Sequence, residues 1–147
     1  MLKPETIAKN EARIDAFLAE TERQTGIPTD YKARKERPIA TGVLDYFPDA
    51  IAEVAYVSFV GNKQHNPGEP LHWAKEKSQD EEDAAMRHMA DRFTKDTDGA
   101  YHAAKSAWRM LAFLQKLIEA ERAGMTYAEY NKHLKARAKL MQEPHNG

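Results

Sequence analysis

The apolar positions of the chain recur at helical spacing, and no stretch alternates with the two-residue period of a strand. The densest pattern runs from Asp45 to Asn62, DYFPDAIAEVAYVSFVGN, which reads as a helix after Pro48 and ends at Gly61. Ile51, Val54, Ala55 and Ser58 share one face, while Asp49, Glu53, Tyr56 and Val60 share the opposite one. A helix apolar nearly all round belongs at the centre of a fold. Its two carboxylates should therefore not be freely solvated. Asp49 in the first turn suits the helix dipole. Glu53 lies a full turn further in and favours a site over a cap, because a buried carboxylate needs a counter-charge or a metal.

The remaining pattern supplies the neighbours of this helix. Pro4 to Thr25 reads as a helix with a sparse stripe of Ile7, Ile14, Phe17 and Leu18, ended by Gly26 and Pro28. So thin a stripe suits the surface or a second subunit. Tyr31 to Pro38 is a basic connector, with a phosphate-facing arm as the sharper alternative. GNKQHNPGEPLHWAKEKS is polar and rich in Pro and Gly, hence a loop of a length that is often functional. Trp73 within it can stack on a base or plug the loop onto the core.

A third helix opens at Ser78 with the capping box Ser78-Gln79-Asp80-Glu81 and turns Met86, Met89, Ala90 and Phe93 inward. The fourth runs from about Asp98, its cap, to Ala123, with Ala104, Trp108, Leu111, Gln115 and Ile118 on one side and Gly124 as the stop. The last opens at Thr126 with Thr126-Tyr127-Ala128-Glu129, carries the weakly apolar KHLKARAKL, and should fray in EPHNG. The expected fold is all-α, a bundle of four or five helices in a single domain over residues 1–147.

Composition narrows the class. At 147 residues the chain can bury a real core. A net charge of −1 argues against a dedicated nucleic-acid partner, which calls for a basic patch or stripe. With no cysteine, neither disulfides nor a Cys-ligated zinc site can form. No apolar run reaches membrane-spanning length, and MLKPETIAKNEARIDAF lacks the apolar core of a signal peptide. The expectation is a cytoplasmic protein without a membrane partner.

Two carboxylate pairs carry the chemistry. Asp49 and Glu53 lie at i,i+4 and Asp80 and Asp83 at i,i+3, so each pair projects from one side of its helix. Packed helices can converge such acids in a bundle interior to hold metal. An all-oxygen set points to Mg²⁺ or Mn²⁺, with one to three ions per site and with Glu53, Asp80 and Asp83 as the catalytic members. Such ions activate water and neutralise a phosphate chain during displacement at phosphorus. With no cysteine and no serine in an elbow motif, water is the attacking group. The rival reading is a non-enzymatic helical adaptor whose acids are solvated faces and caps.

The order Asp-x-x-x-Glu, loop, Asp-x-x-Asp resembles the acid pattern of the all-α nucleoside triphosphate pyrophosphatases, the MazG-like superfamily. Their usual form is Glu-x-x-Glu followed by Glu-x-x-Asp, so the first spacing and the Asp-for-Glu exchanges depart from it. YFPDAIAEVAYVS, GNKQHNPGEPLHW, KSQDEEDAAMRH and DTDGAYHAAKSAWRMLAFLQ resemble a narrower branch, the phage-type, MazZ-like dATP/dGTP diphosphohydrolases, over about Arg37 to Gln115. The resemblance implies a small homodimeric or homotetrameric enzyme of the cytoplasm, or of the host cytoplasm if phage-encoded. It would cut dGTP or dATP to the deoxynucleoside monophosphate and diphosphate, in phages that replace adenine by 2-aminoadenine.

Carried onto this chain, the resemblance makes Asp49, Glu53, Asp80 and Asp83 metal ligands. Lys63, Gln64, His65, Asn66, His72 and Trp73 would hold triphosphate and base. Arg87, His88 and His102 would contact phosphate or orient the acids. His88 and His102 also suit buried, satisfied core histidines, and Asp98 a fifth ligand. A house-cleaning hydrolase of other specificity is the second enzymatic alternative, since base choice rests on pocket shape and a few hydrogen bonds.

Overall fold

In the computed structural model, which describes residues 1–22 and 26–142, regular structure is helical and the described residues form no strand. The helices are α1 (Pro4–Glu22), α2 (Tyr31–Lys35), α3 (Pro48–His65), α4 (Glu81–Ala90), α5 (His102–Arg122) and α6 (Tyr127–Gln142). A single π-helical turn, Ala40–Leu44, precedes α3. The architecture is an all-α bundle, as the periodicity requires. None of the described helices is long and apolar enough to cross a membrane.

The hub is α5, on which α3, α4 and α6 each pack. Its seam with α4 is built from small side chains: Ala84 and Ala85 on one helix, Ala104, Ser106 and Ala112 on the other, all buried. Small residues let two helix axes approach closely, close enough for Ser106 Oγ to donate to the Ala85 carbonyl at 2.9 Å. This corrects the inward face expected for α4. Met86, Met89 and Phe93 point outward, Phe93 being 88% exposed, because Glu81, Ala84 and Ala85 take the inward face of α4. On α5, likewise, Leu111, Gln115 and Ile118 are exposed, while Lys116, Glu119 and Ala120 are buried.

The expectation of a central, fully buried α3 is also corrected. Only Val60 is buried, with Ile51, Glu53, Val54, Val57 and Ser58 half-buried and Tyr56 and Phe59 exposed. One chain covers only one side of this helix. α3 also continues a turn past Gly61, so Lys63, Gln64 and His65 are helical rather than loop residues. A lone glycine inside a helix is tolerated at a cost of about 1 kcal/mol.

The local signals fared better. Thr126 Oγ1 accepts from the Glu129 N–H at 3.2 Å, capping α6 as its sequence predicts. Gly124 stops α5 at φ 66°, where a side chain would clash with the following carbonyl. Ser78 does not cap α4, which begins only at Glu81 with Asp80 in the cap position. Its hydroxyl donates to Asp80 Oδ1 at 3.2 Å and accepts from Arg109 Nη1 at 3.1 Å. The basic connector contains a short helix, α2, capped by Asp30 Oδ2 accepting from the Ala33 N–H.

At the far end, Tyr130 and Leu134 of α6 close over Ala120, with Ile14 and Met125 against them. Asp15 of α1 lies 3.5 Å from His133 Nε2 and 3.8 Å from Arg137 Nε. The side chains of Phe17 and Leu18, the residue Thr25 and the tail EPHNG lie outside the described residues.

Candidate active site

The last turns of α3, the 66–80 segment, the last turn of α4 and the start of α5 enclose a cleft of about 720 Å³. One wall is apolar and aromatic, with Val57, Leu71, Trp73 and Trp108. The two indoles meet edge to face with centroids 5.6 Å apart. Trp108 Nε1–H donates to Ser58 Oγ at 2.8 Å, which ties α5 to α3 beneath the pair. A buried indole needs such an acceptor.

Asn62 shapes the mouth of the cleft. Its Nδ2 donates to the Glu69 carbonyl at 3.0 Å, and its Oδ1 accepts from the His72 N–H at 3.2 Å and Asn66 Nδ2 at 3.4 Å. One amide thus closes the loop back onto the helix that launched it. Further along, Lys75 Nζ donates to Glu119 Oε1 at 2.6 Å, pinning the loop to α5. Trp73, held between Asn62 and Lys75, is both loop anchor and cleft wall.

The floor is built by the turn between α4 and α5. Asp96 N–H donates to the Ala100 carbonyl and Gly99 N–H to the Asp96 carbonyl, with Gly99 at φ 85°. Tyr56 Oη donates to the Asp98 carbonyl at 3.3 Å and Gln64 Nε2 to Asp98 Oδ2 at 3.4 Å. Lys105 Nζ reaches back from α5 to Asp96 Oδ2 at 2.7 Å and Asp98 Oδ2 at 2.6 Å. The hydrogen bond from Lys105, then that from the Thr97 N–H, holds Asp96 down to about 2. Burial pushes Asp98 up, but Lys105 and the Ala100 N–H outweigh it, and its carboxyl also sits below the ordinary range. Asp98 therefore belongs to this turn and does not cap α5, which starts at His102.

His88 of α4 and His102 of α5 face each other with Nδ1 atoms 3.0 Å apart. Burial, then the neighbouring His102, Lys105 and Arg109, lower the His88 pKa and favour its neutral form. Among the described residues, His88, Asp96 and His102 form a set of potential ligands whose donor atoms all lie within 4.8 Å of one another. Two imidazoles and a carboxylate suit Mn²⁺ and the later transition ions better than Mg²⁺. The 3.0 Å separation would let both rings hold one ion. It equally allows one imidazole N–H to donate to the other ring. The donor set fits a divalent ion.

Of the residues singled out in the sequence, Gln64, His65, Asn66, His72, Trp73, Asp80 and His88 line the cleft. Lys63, Arg87 and His102 lie outside its lining, though Arg87 Nη2 donates to Asp80 Oδ2 at 2.8 Å and His102 backs His88. That hydrogen bond from Arg87 holds the Asp80 carboxyl below its ordinary value. Asp49 and Glu53 sit in the first two turns of α3, one exposed and one half-buried, and Asp83 is exposed on α4. None of the three lines the cleft of the single chain.

Sequence reasoning missed Asn62 as a hub, and missed Asp96, Lys105 and Arg109. Arg109 lines the cleft, with Nη1 2.9 Å from Glu81 Oε2. Lys105 and Arg109 sit three and seven residues beyond His102 in an ordinary polar helix pattern, and no local signal marks them. A family model described as dATP/dGTP diphosphohydrolase, N-terminal, matches residues 29–126, two thirds of the chain, and spans every residue that lines the cleft. No curated protein and no solved structure matches.

Proposed function

The chain belongs to the dATP/dGTP diphosphohydrolase family, and from that premise we propose that it hydrolyses dGTP or dATP between the α- and β-phosphorus. The products are the deoxynucleoside monophosphate and diphosphate, in phage purine metabolism that installs 2-aminoadenine. The observation that carries this reading is the coincidence of the family match with the cleft. A purine needs an apolar slot with a few polar edges, and Leu71, Trp73 and Trp108 beside Gln64 and Asn66 supply one. His65 and His72 extend the polar rim.

A divalent ion, when bound, supplies charge neutralisation of the phosphate chain and a more acidic water. His88, Asp96 and His102 would hold such an ion at the cleft edge. Asp80, kept ionised by Arg87, faces the same cleft. His88, favoured in its neutral form, can take up a proton or a ligand bond there.

Asp49, Glu53 and Asp83 remain proposed ligands together with Asp80. With only Asp80 of the four in the single-chain cleft, we propose that a homodimer or homotetramer completes the site. The outward Tyr56, Phe59, Met86, Met89, Leu111 and Leu114 supply an apolar surface for a second copy. A triphosphate panel with Mg²⁺ or Mn²⁺, read for diphosphate against orthophosphate, tests the reaction. Diphosphate release in one step, best with a deoxypurine, is the expected result. Sequential orthophosphate, or no turnover with either ion, refutes it. Light scattering at micromolar concentration should give a dimer or larger, and a fully active monomer refutes the shared site.

A further inference from the structure

The charges around the cleft are not evenly balanced. At the floor, two carboxylates, Asp96 and Asp98, answer one ammonium, Lys105. One turn further along α5 the ratio is reversed. Glu81 Oε2 accepts from Arg109 Nη1 at 2.9 Å and Glu81 Oε1 from Lys116 Nζ at 3.1 Å, so two cations answer one carboxylate, while Asp80, linked to Arg109 through Ser78 Oγ, is paired with Arg87. Glu81 and Lys116 are fully buried, and neither can draw a counter-ion from solvent. Lys116 also donates to the Ser78 carbonyl at 2.7 Å. Arg109 alone of the three reaches the cleft, its side chain 32% exposed.

An uncompensated charge in a partly desolvated wall attracts an ion of opposite sign. The cleft that Arg109 lines is open to that ion. Arg109 is also held ready for it. Its described hydrogen bonds, to Glu81 and to Ser78 Oγ, both use Nη1, which leaves the rest of the planar fork for an incoming oxyanion. Lys77, next to Ser78 in the chain, lines the same cleft.

We propose that the Arg109 end of the cleft is an anion subsite that takes a phosphate group of a polyphosphate chain, with the buried Glu81–Lys116 pair fixing the guanidinium and its excess positive charge. The inference deepens the reading of the cleft as a triphosphate site, but it does not depend on hydrolysis or on metal. It sets a polarity: phosphate lies toward Arg109, and cations lie toward Asp96 and Asp98.

The probe is inorganic tripolyphosphate, titrated calorimetrically with chelator present, which separates anion binding from nucleoside recognition and from turnover. Wild-type protein should bind it with an affinity that falls as salt rises. Arg109→Gln should weaken binding by about tenfold to a hundredfold. Arg109→Lys keeps a positive charge beside Glu81 but loses the fork, and should weaken it by about threefold to tenfold. If Arg109→Gln does not fold, Arg109→Lys decides alone. Absence of wild-type binding at millimolar probe, or wild-type affinity in the folded Arg109 variants, overturns the proposal. Arg109-dependent binding in a protein that turns over no triphosphate would sink the hydrolase reading and leave this subsite standing.

Discussion

Lys116→Met is the sharpest probe of the packing between α4 and α5. The ammonium is fully buried and makes two contacts that nothing else in the wild type can replace, to Glu81 Oε1 at 3.1 Å and to the Ser78 carbonyl at 2.7 Å. Removing one partner of a buried ion pair costs about 3–5 kcal/mol, chiefly because the other charge is stranded. Here Arg109 still faces Glu81 Oε2 at 2.9 Å, so the carboxylate is only half orphaned and the lower end applies. Methionine preserves most of the buried stem, which keeps the cavity contribution small. The expected loss is about 3 kcal/mol, or about 6–12 °C in melting temperature for a chain of this size. Urea unfolding of wild type, Lys116→Met, Glu81→Gln and the double variant measures it. The double variant should be more stable than the sum of the singles predicts, by at least about 1 kcal/mol. A Lys116→Met loss below about 1 kcal/mol, or strict additivity, would refute the claim that this pair anchors the seam.

Three other outcomes follow from individual contacts. Burial raises Glu119, but Lys75, Tyr130 and Gln115 more than reverse this, leaving its pKa below the ordinary glutamate value of 4.5. Its depressed folded pKa means stability present above 4.5 and lost as pH falls through the lower folded value, so Glu119→Gln should flatten the acid limb of the urea midpoint below pH 4.5. Asn62→Ala frees both the Glu69 carbonyl and the His72 N–H, so amide exchange in the 66–80 segment should speed up by at least about tenfold while α5 stays protected. Gly124→Ala forces a side chain into φ 66° and should destabilise by about 1–2 kcal/mol, measured by urea unfolding.

What the sequence reveals here depends on the range of the interaction. The Thr126 cap and the Gly124 stop are settled within one helical turn, and both stand as read. The face of α4 is a tertiary matter. Alanines at 84 and 85 carry almost no hydropathic weight, whereas Met86, Met89 and Phe93 carry a great deal, so the pattern turned the helix the wrong way. Glu81, Lys116 and Glu119 look like solvated surface in any hydropathy reading, because each is made buriable by a partner 11 to 44 residues away. The loop chemistry was legible because amides, imidazoles and an indole cluster in sequence. Lys105 and Arg109 were not, since their roles come from the turn and the buried carboxylate that they meet.

The contact between Trp73 and Trp108 has an optical consequence. The chain contains two tryptophans, and they touch within one wall of the cleft, one on the loop and one on α5. All indole emission therefore originates at a single place, and the two transition dipoles are close enough to couple. A change in fluorescence or in coupled ellipticity reports whether the loop is seated on α5, before any helix has melted. In a titration the same signal registers a ligand that enters beside the pair, so the protein carries its own spectroscopic gauge of cleft occupancy without a label.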